Sequence, residues 1–151
     1  MPRDESYEVK RTKTGLGLFA TRRIPKGSRI IEYVGPLVPN DEVEKSNGKY
    51  FFGVNTKWSI DGSARTNTAR YINHACRPNA ETDVKKHKII ITAIKNIQPG
   101  DEITYNYGRA YFNAFIKPYG CLCASCRQKR LEASRDRRHA AARKKARRAR
   151  A

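Results

Sequence analysis

Short runs of β-type residues, each followed by a turn signal, make up most of the first two thirds of this chain. The runs are SYEVKRT (6–12), LGLFATR (16–22), SRIIEYVG (28–35), YFFGVNTKWSID (50–61) and EITYNY (102–107), with further strands predicted near 80–85 and 87–94. Turn signals such as Pro25–Gly27 and Gln98–Asp101 separate them. Such a pattern is typical of a mainly β protein with many short strands and little helix.

Helix signals are few in this part of the chain. The string Pro39-Asn40-Asp41-Glu42 predicts a short helix in which Asn40 is the N-terminal cap and Gly48 the stop. One helical turn is predicted near residues 68–72. The segment ARYINHACRPN (69–79) follows neither a helical nor a strand period, so its polar residues and its cysteine are candidates for a site.

Positive charge is unevenly distributed along the 151 residues. The net charge is +18, and residues 127–151 hold twelve Lys or Arg against Glu132 and Asp136. Such a segment favours acidic partners, nucleic acid above all. A solvated tail that aids solubility and an import signal are the alternatives.

Membrane insertion and secretion are not indicated. No apolar run approaches the ~20 residues of a membrane-spanning helix, and the N-terminus has no hydrophobic signal core. We expect an intracellular protein, cytoplasmic if bacterial and nuclear if it acts in a eukaryotic cell. The four cysteines are then expected to be metal ligands or free thiols rather than disulfides.

Five motifs occur in an informative order. They are GLGLF (15–19), YVG (33–35), NHACRPN (73–79), EITYNY (102–107) and CLCASC (121–126). The lone GxG is weak evidence for a dinucleotide site, because the third glycine is missing and a strand follows it. Taken together, the series closely resembles the SET-domain protein lysine methyltransferases with a post-SET cysteine segment, over about residues 7–130.

The resemblance implies a SET-domain fold of several small β-sheets with a pseudoknot, in which the segment RxxNHxCxPN runs beneath a loop near residues 102–107. Fourteen residues precede Gly15, so we expect no pre-SET domain, and the stretch from Gly35 to Thr68 is short. Both features resemble compact, bacterial-type members. The implied domains are a SET domain (5–110), a post-SET zinc segment (111–130) and a basic, flexible or helical tail (131–151).

In this family the GxG turn and the NHxCxPN segment line the pocket for S-adenosylmethionine. The resemblance therefore assigns cofactor binding to Leu16 and Gly17, through their backbone, and to Asn73 and His74. Two glycines that flank one apolar residue allow a close approach of the main chain, because neither carries a Cβ.

Tyr33, Tyr105 and Tyr107 fall on the family's catalytic positions. Tyr107 matches the tyrosine nearest the transferred methyl, which orients the amine. Tyr105 matches a position of Tyr or Phe, and a tyrosine there resembles enzymes that stop at mono- or dimethylation. Asn106 stands where the family commonly has Asp.

The cysteine count fits one metal. Cys76, Cys121, Cys123 and Cys126 supply the four thiolates of a tetrahedral zinc site and leave no cysteine over. The family's post-SET zinc uses the NHxCxPN cysteine with a CxCx4C set, whereas this chain has CxCx2C. Structural zinc is favoured over free thiols or a Cys123–Cys126 disulfide.

The predicted function is S-adenosylmethionine-dependent methylation of a lysine ε-amine in a protein, a histone or DNA-associated protein among the candidates. The alternative is a catalytically weak SET-like module that binds nucleic acid or chromatin. Oligomeric state is not indicated by any sequence feature.

Overall fold

The strands pair into three small sheets. The computed structural model describes residues 5–12, 14–46 and 49–151, and the chain divides into two compact units, one ending at Asn106 and the other beginning at Tyr107. The described residues of the first unit form ten strands: β1 (Tyr7–Thr12), β2 (Gly15–Ala20), β3 (Arg29–Tyr33), β4 (Leu37–Pro39), β5 (Phe51–Gly53), β6 (Trp58–Asp61), β7 (Asn73–His74), β8 (Ala80–Lys85), β9 (Lys88–Ala93) and β10 (Glu102–Tyr105). The mainly β prediction is confirmed.

One sheet has four strands in the order β1-β2-β10-β7, and the others have the orders β3-β9-β8 and β4-β6-β5. Neighbouring strands are antiparallel except β10 and β7, which run parallel with Thr104 opposite Asn73 and Tyr105 opposite His74. This pairing brings together two segments that are expected to take part in the knot.

The core of the first unit is aliphatic. In β9, Ile89, Ile91 and Ala93 are buried and alternate with less buried residues, which is the period of a half-buried strand. Leu18 of β2 and Ile103 of β10 are fully buried and lie opposite each other in the register. The four-stranded sheet is thereby held against the interior.

The first helix, α1 (Asn40–Glu44), begins one residue earlier than predicted, because Asn40 is its first residue rather than its cap. Pro39 holds the cap position, and the Asn40 side chain makes no capping hydrogen bond. Instead Asn40 Oδ1 accepts from the hydroxyl of buried Ser59 at 2.6 Å, and its Nδ2 donates to the Asn55 carbonyl at 3.0 Å. The Asn40 prediction was wrong because a buried hydroxyl needs a partner. The predicted stop, Gly48, lies outside the described residues. The turn near residues 68–72 is confirmed as a 3₁₀ helix, Thr68–Tyr71.

The second unit is helical. It contains α2 (Arg109–Tyr111), a π-helical turn (Phe112–Ile116), a 3₁₀ turn (Lys117–Tyr119) and α3 (Ala124–Ala149). The 26 residues of α3 include none that is buried. Among the described residues, no helix combines the length and the apolar character that crossing a bilayer requires.

Candidate active site

The predicted cofactor residues meet where β2, β10 and β7 lie side by side. In the pairing of β10 with β2, Glu102 lies opposite Phe19 and Ile103 lies opposite Leu18, and the pairing extends no further toward Gly17. Asn73 of β7 spans the remaining gap, since its Nδ2 donates to the Leu16 carbonyl at 2.9 Å. One side chain thus links β7 to β2 across the end of β10.

Gly17 is the closest neighbour of this junction. A Cβ at Gly17 would lie 2.6 Å from Glu102 Oε1 and 3.2 Å from Asn73 Nδ2. The Asn73 amide also donates to Glu102 Oε1 at 2.9 Å. The missing side chain of Gly17 therefore makes room for the contact between the Asn73 amide and the Glu102 carboxylate. The sequence alone suggested only that this glycine lets a ligand approach the main chain.

His74 follows Asn73 and is half-buried. Its Nε2 lies 3.5 Å from the Cys76 sulfur. Desolvation lowers the pKa of the imidazole, so the neutral form is favoured there. Of the four predicted cofactor residues, Leu16 and Gly17 are consecutive on β2, and Asn73 and His74 are consecutive on β7.

Two of the predicted catalytic tyrosines are buried in the first unit around Phe52. The ring of Tyr33 lies 5.4 Å from that of Phe52, which in turn lies 6.1 Å from that of Tyr105. The Tyr33 hydroxyl donates to the Tyr50 carbonyl at 2.6 Å. Phe52 was not singled out from the sequence, although the aromatic pair Phe51-Phe52 in a predicted strand was a usable signal.

Arg70 contacts Tyr50, the residue whose carbonyl accepts the hydrogen bond from the Tyr33 hydroxyl. Its guanidinium lies over the Tyr50 ring, 4.1 Å from the centroid, and donates to the Ser63 carbonyl. A hydrogen bond with the Tyr50 side chain raises the pKa of Arg70. In the sequence, Arg70 is distinguished only by its place in the segment ARYINHACRPN.

Tyr107 belongs to the second unit. Its ring packs edge-on against Tyr111, with centroids 5.1 Å apart and planes at 85°. Tyr111 in turn contacts Phe115 at 4.8 Å. These rings form a ladder along the helical turns that follow the motif EITYNY.

Two asparagines for which the sequence predicts no role of their own, Asn79 and Asn67, form side-chain hydrogen bonds with the main chain. Asn79 Nδ2 donates to the Glu102 carbonyl at 2.8 Å, and its Oδ1 accepts from the Thr104 amide at 2.9 Å. Asn67 is fully buried, accepts from the Val34 amide and donates to the Gly62 carbonyl. Each side chain thus gives one donor and one acceptor to the main chain of other segments.

The ligand atoms of the four cysteines lie within 4.8 Å of one another. A tetrahedral zinc site with Zn–S bonds near 2.3 Å needs sulfur–sulfur separations of roughly 3.8 Å, which lie inside this limit, so the four thiols fit one zinc ion. The structure records all four cysteines without a disulfide bond. Burial raises the pKa of the Cys121 thiol, and the side chains of Cys123 and Cys126 raise it further.

A family model described as the SET domain matches residues 15–108. Histone-lysine N-methyltransferase 2D of Homo sapiens is 34% identical over 135 residues, which cover 81% of this chain and 2% of that protein. Histone-lysine N-methyltransferase Set2 of Drosophila melanogaster is 34% identical over 128 residues, 76% of this chain and 6% of that protein. The H3 lysine-4 specific histone-lysine N-methyltransferase of Schizosaccharomyces pombe is 34% identical over 123 residues, 73% of this chain.

This chain therefore spans between 2% and 13% of the length of these three relatives. Among solved structures, KRYPTONITE in complex with mCHH DNA, an H3(1-15) peptide and SAH is similar, with a TM-score of 0.60 and 32% sequence identity. The match covers 68% of this chain and 23% of that one. The predicted SET fold is confirmed, and since the family model matches more than half of the residues, this chain belongs to the SET domain family.

Proposed function

We propose that this chain is an S-adenosylmethionine-dependent protein-lysine N-methyltransferase. The observation that carries the proposal is the junction at Asn73, where one amide joins the GxG strand to Glu102, three residues before Tyr105. The segment that the family uses for the cofactor is thus fixed beside the strand that bears a candidate catalytic tyrosine. The similar proteins named above are histone-lysine methyltransferases, and the similar solved structure contains SAH.

The reaction makes a specific demand on the protein. S-adenosylmethionine supplies a methyl group on a sulfonium; the N–C bond to the amine forms as the S–C bond breaks, and the amine loses a proton to solvent. The attacking amine must be neutral, yet at pH 7 only about one lysine in ~2,500 is, which corresponds to roughly 4.6 kcal/mol. An aromatic, water-poor channel lowers a lysine pKa and offsets part of this cost.

The aromatic cluster of the first unit fits that demand. Tyr33, Phe52 and Tyr105 present apolar ring faces, and tyrosine hydroxyls can accept a hydrogen bond from an amine. In the proposal Tyr33 and Tyr105 form the wall of the channel. Tyr107 takes the role that the resemblance gives it, orienting the amine.

On the cofactor side, the proposal assigns backbone contacts to Leu16 and Gly17 and side-chain contacts to Asn73 and His74. Depression of the His74 pKa supports a neutral imidazole, which does not repel a sulfonium. The Leu16 side chain is 39% exposed, so this end of β2 is accessible to a ligand.

Zinc in the proposal is structural, with the thiolates of Cys76, Cys121, Cys123 and Cys126 as its ligands. The domain assignment follows: a SET domain (5–110), a post-SET zinc segment (111–130) and a basic tail (131–151). The substrate is a lysine of a protein, with a histone or another DNA-associated protein as the class that the similar proteins favour. The basic tail contacts nucleic acid, and the protein works inside the cell, in a bacterial cytoplasm or a eukaryotic nucleus.

Methyl transfer from isotope-labelled S-adenosylmethionine to an H3(1–15) peptide and to a mixture of lysine-containing proteins tests the proposal. Mass spectrometry of the products identifies the modified lysine and the number of methyl groups. Tyr107→Phe should lower the transfer rate by about 10²-fold or more, because it removes the hydroxyl that orients the amine. Cofactor affinity, measured separately by calorimetry, should change little.

Tyr119→Phe is the matched control, since this side chain is 88% exposed, and it should transfer methyl groups at the wild-type rate. Tyr105→Phe should shift the products toward higher methylation states. If wild type and Tyr107→Phe are both silent while the cofactor still binds, the alternative applies, namely a SET-like module that binds nucleic acid or chromatin without efficient catalysis.

A further inference from the structure

The second half of α3 has an unusual distribution of charge. Residues 137–149 contain seven Lys or Arg and no Asp or Glu, and every residue from 135 to 150 is exposed. We call residues 137–149 the basic half-helix. In the first half of α3, by contrast, Glu132 and Asp136 lie among the basic residues and Gln128 donates to Glu132 at 2.9 Å.

The seven charges do not form a single face. With 100° between successive helical residues, they cover an arc of roughly 220° around the axis. The members of this arc are Arg137, Arg138, Arg143, Lys144, Lys145, Arg147 and Arg148. The remaining arc, roughly 140° wide, holds His139, Ala142, Ala146 and Ala149.

This arrangement distinguishes among acidic partners. A membrane surface would require an apolar face of Leu, Phe or Trp opposite the charges, and the narrow arc offers alanine instead. A flat acidic protein surface would meet charge on one side of the helix only. A groove with a row of phosphates on each wall matches a helix whose small side chains face the floor while basic side chains extend to both sides.

We propose that the basic half-helix lies in the major groove of B-form duplex DNA, with Ala142, Ala146 and Ala149 toward the base edges and the seven basic side chains on the phosphates of both strands. The groove is about 12 Å wide, and an α-helix with its side chains is about 10–12 Å across. The inference rests on the nucleic-acid contact proposed above and names its partner and its geometry.

Size and charge agree quantitatively. Thirteen helical residues extend about 20 Å, and duplex DNA carries one phosphate per ~1.7 Å of axis, so seven cations find enough partners. Neutralising seven phosphates gives a slope of about −6 in log K against log salt, a loss of about 10³- to 10⁴-fold in affinity between 50 and 200 mM salt. Of the four residues on the arc that faces the bases, only His139 carries a hydrogen-bonding side chain, and the three alanines carry none, so binding should depend little on base sequence.

The experiment measures fluorescence anisotropy of a labelled 24-base-pair DNA duplex with the full chain, without cofactor, at several salt concentrations. Replacing Arg143, Lys144, Arg147 and Arg148 by Gln should reduce the slope by about 3 to 4 and weaken binding by more than about 100-fold at 100 mM salt. A set of exposed lysines from the first unit, Lys26, Lys45, Lys57 and Lys95, is replaced by Gln as the control of equal charge. That control should change the slope by less than about 1.

A second variant separates helix geometry from charge. Ala141→Pro breaks the basic half-helix near its middle and leaves every charge in place, whereas Ala149→Pro affects only the last turn of the helix. Groove binding predicts at least a tenfold loss for Ala141→Pro and little change for Ala149→Pro. An RNA duplex of the same sequence should bind at least tenfold more weakly, because the major groove of A-form RNA is deep and narrow.

Three results would overturn the inference: equal binding by Ala141→Pro and wild type, equal affinity for the RNA duplex, or an equal effect of the two four-residue sets. Competition by polyglutamate as effective as by DNA would instead identify an acidic protein as the partner. Failure of methyl transfer is a separate matter, since Tyr107→Phe should bind the duplex like wild type. A silent enzyme that binds DNA contradicts the proposed reaction alone, and an active enzyme that does not bind DNA contradicts this inference alone.

Discussion

Substituting Gly17 by alanine tests the junction on which the proposed cofactor site depends. The new Cβ would lie 2.6 Å from Glu102 Oε1, closer than side chains tolerate. Because the carboxylate is the end of a flexible side chain, it can rotate away without moving the backbone. The expected consequence is loss of the 2.9 Å hydrogen bond from Asn73 Nδ2 to Glu102.

The magnitude follows from two opposing effects. A hydrogen bond to a charged group contributes about 1.5–3 kcal/mol. Replacing a strand glycine by alanine returns roughly 0.5–1 kcal/mol, because the unfolded chain loses conformational freedom. Gly17→Ala should therefore lower the free energy of unfolding by about 1–2 kcal/mol.

Gly53 in β5 provides the matched control. A Cβ there would have its nearest neighbour, Ser59 Oγ, at 3.9 Å, an ordinary contact. Gly53→Ala should raise the free energy of unfolding by about 0.5–1 kcal/mol, so the two variants should shift in opposite directions. Urea unfolding measures both, and calorimetric titration with S-adenosylhomocysteine should show weaker binding for Gly17→Ala alone. The reasoning fails if Gly17→Ala is as stable as wild type and binds the ligand equally well.

Three further predictions concern other parts of the chain. Asn79→Ala removes two hydrogen bonds to β10 and should lower the free energy of unfolding, measured in urea, by about 2–3 kcal/mol. The control is Asn96→Ala, which removes one hydrogen bond from the exposed Lys26 amide to Asn96 Oδ1 and should lower it by less than about 1 kcal/mol. Equal losses for the two variants would contradict this prediction. The turn between β8 and β9 has positive φ at Lys86 (48°) and His87 (64°), a conformation that Asn and Gly adopt more easily. The double substitution Lys86→Asn with His87→Gly should therefore stabilise the protein by about 1–2 kcal/mol, measured by thermal unfolding. An unchanged or lower unfolding temperature would argue against strain in this turn. Metal analysis should find about one zinc per chain, and a chelator or Cys121→Ser should lower stability while Ser134→Ala does not; metal-free protein of unchanged stability would exclude structural zinc.

The short strands were predictable because their signals are local. In β9 the consecutive β-branched residues 89–92 favour a strand, and β8 and β9 were predicted within one residue of their bounds. The α1 cap was not predictable, because the partner of Asn40 is Ser59, nineteen residues away. A local capping rule has no access to a hydroxyl that folding brings in from another strand.

Residue types in the candidate site could be read from the motifs, but their contacts could not. The sequence indicated Asn73 as a cofactor residue, yet nothing local shows that its amide reaches the Leu16 carbonyl, 57 positions earlier in the chain. The same holds for Phe52, which lies between Tyr33 and Tyr105. These three residues belong to strands of three different sheets, so their contact depends on how the whole unit folds. Motifs identify which side chains matter, whereas sheet register determines what each one touches.

The two outer asparagines of NHACRPN act on the same strand from different positions. Asn73 binds the Glu102 side chain, while Asn79 binds the main chain of Glu102 and Thr104. Tyr105 follows directly and lies opposite His74 in the parallel pairing. Because the tyrosine's position depends on both asparagines, a change at either one should reduce the proposed methyl transfer as well as the stability. The irregular segment is thus better understood as a set of hydrogen-bonding groups that fixes β10 than as a loop that carries isolated ligands.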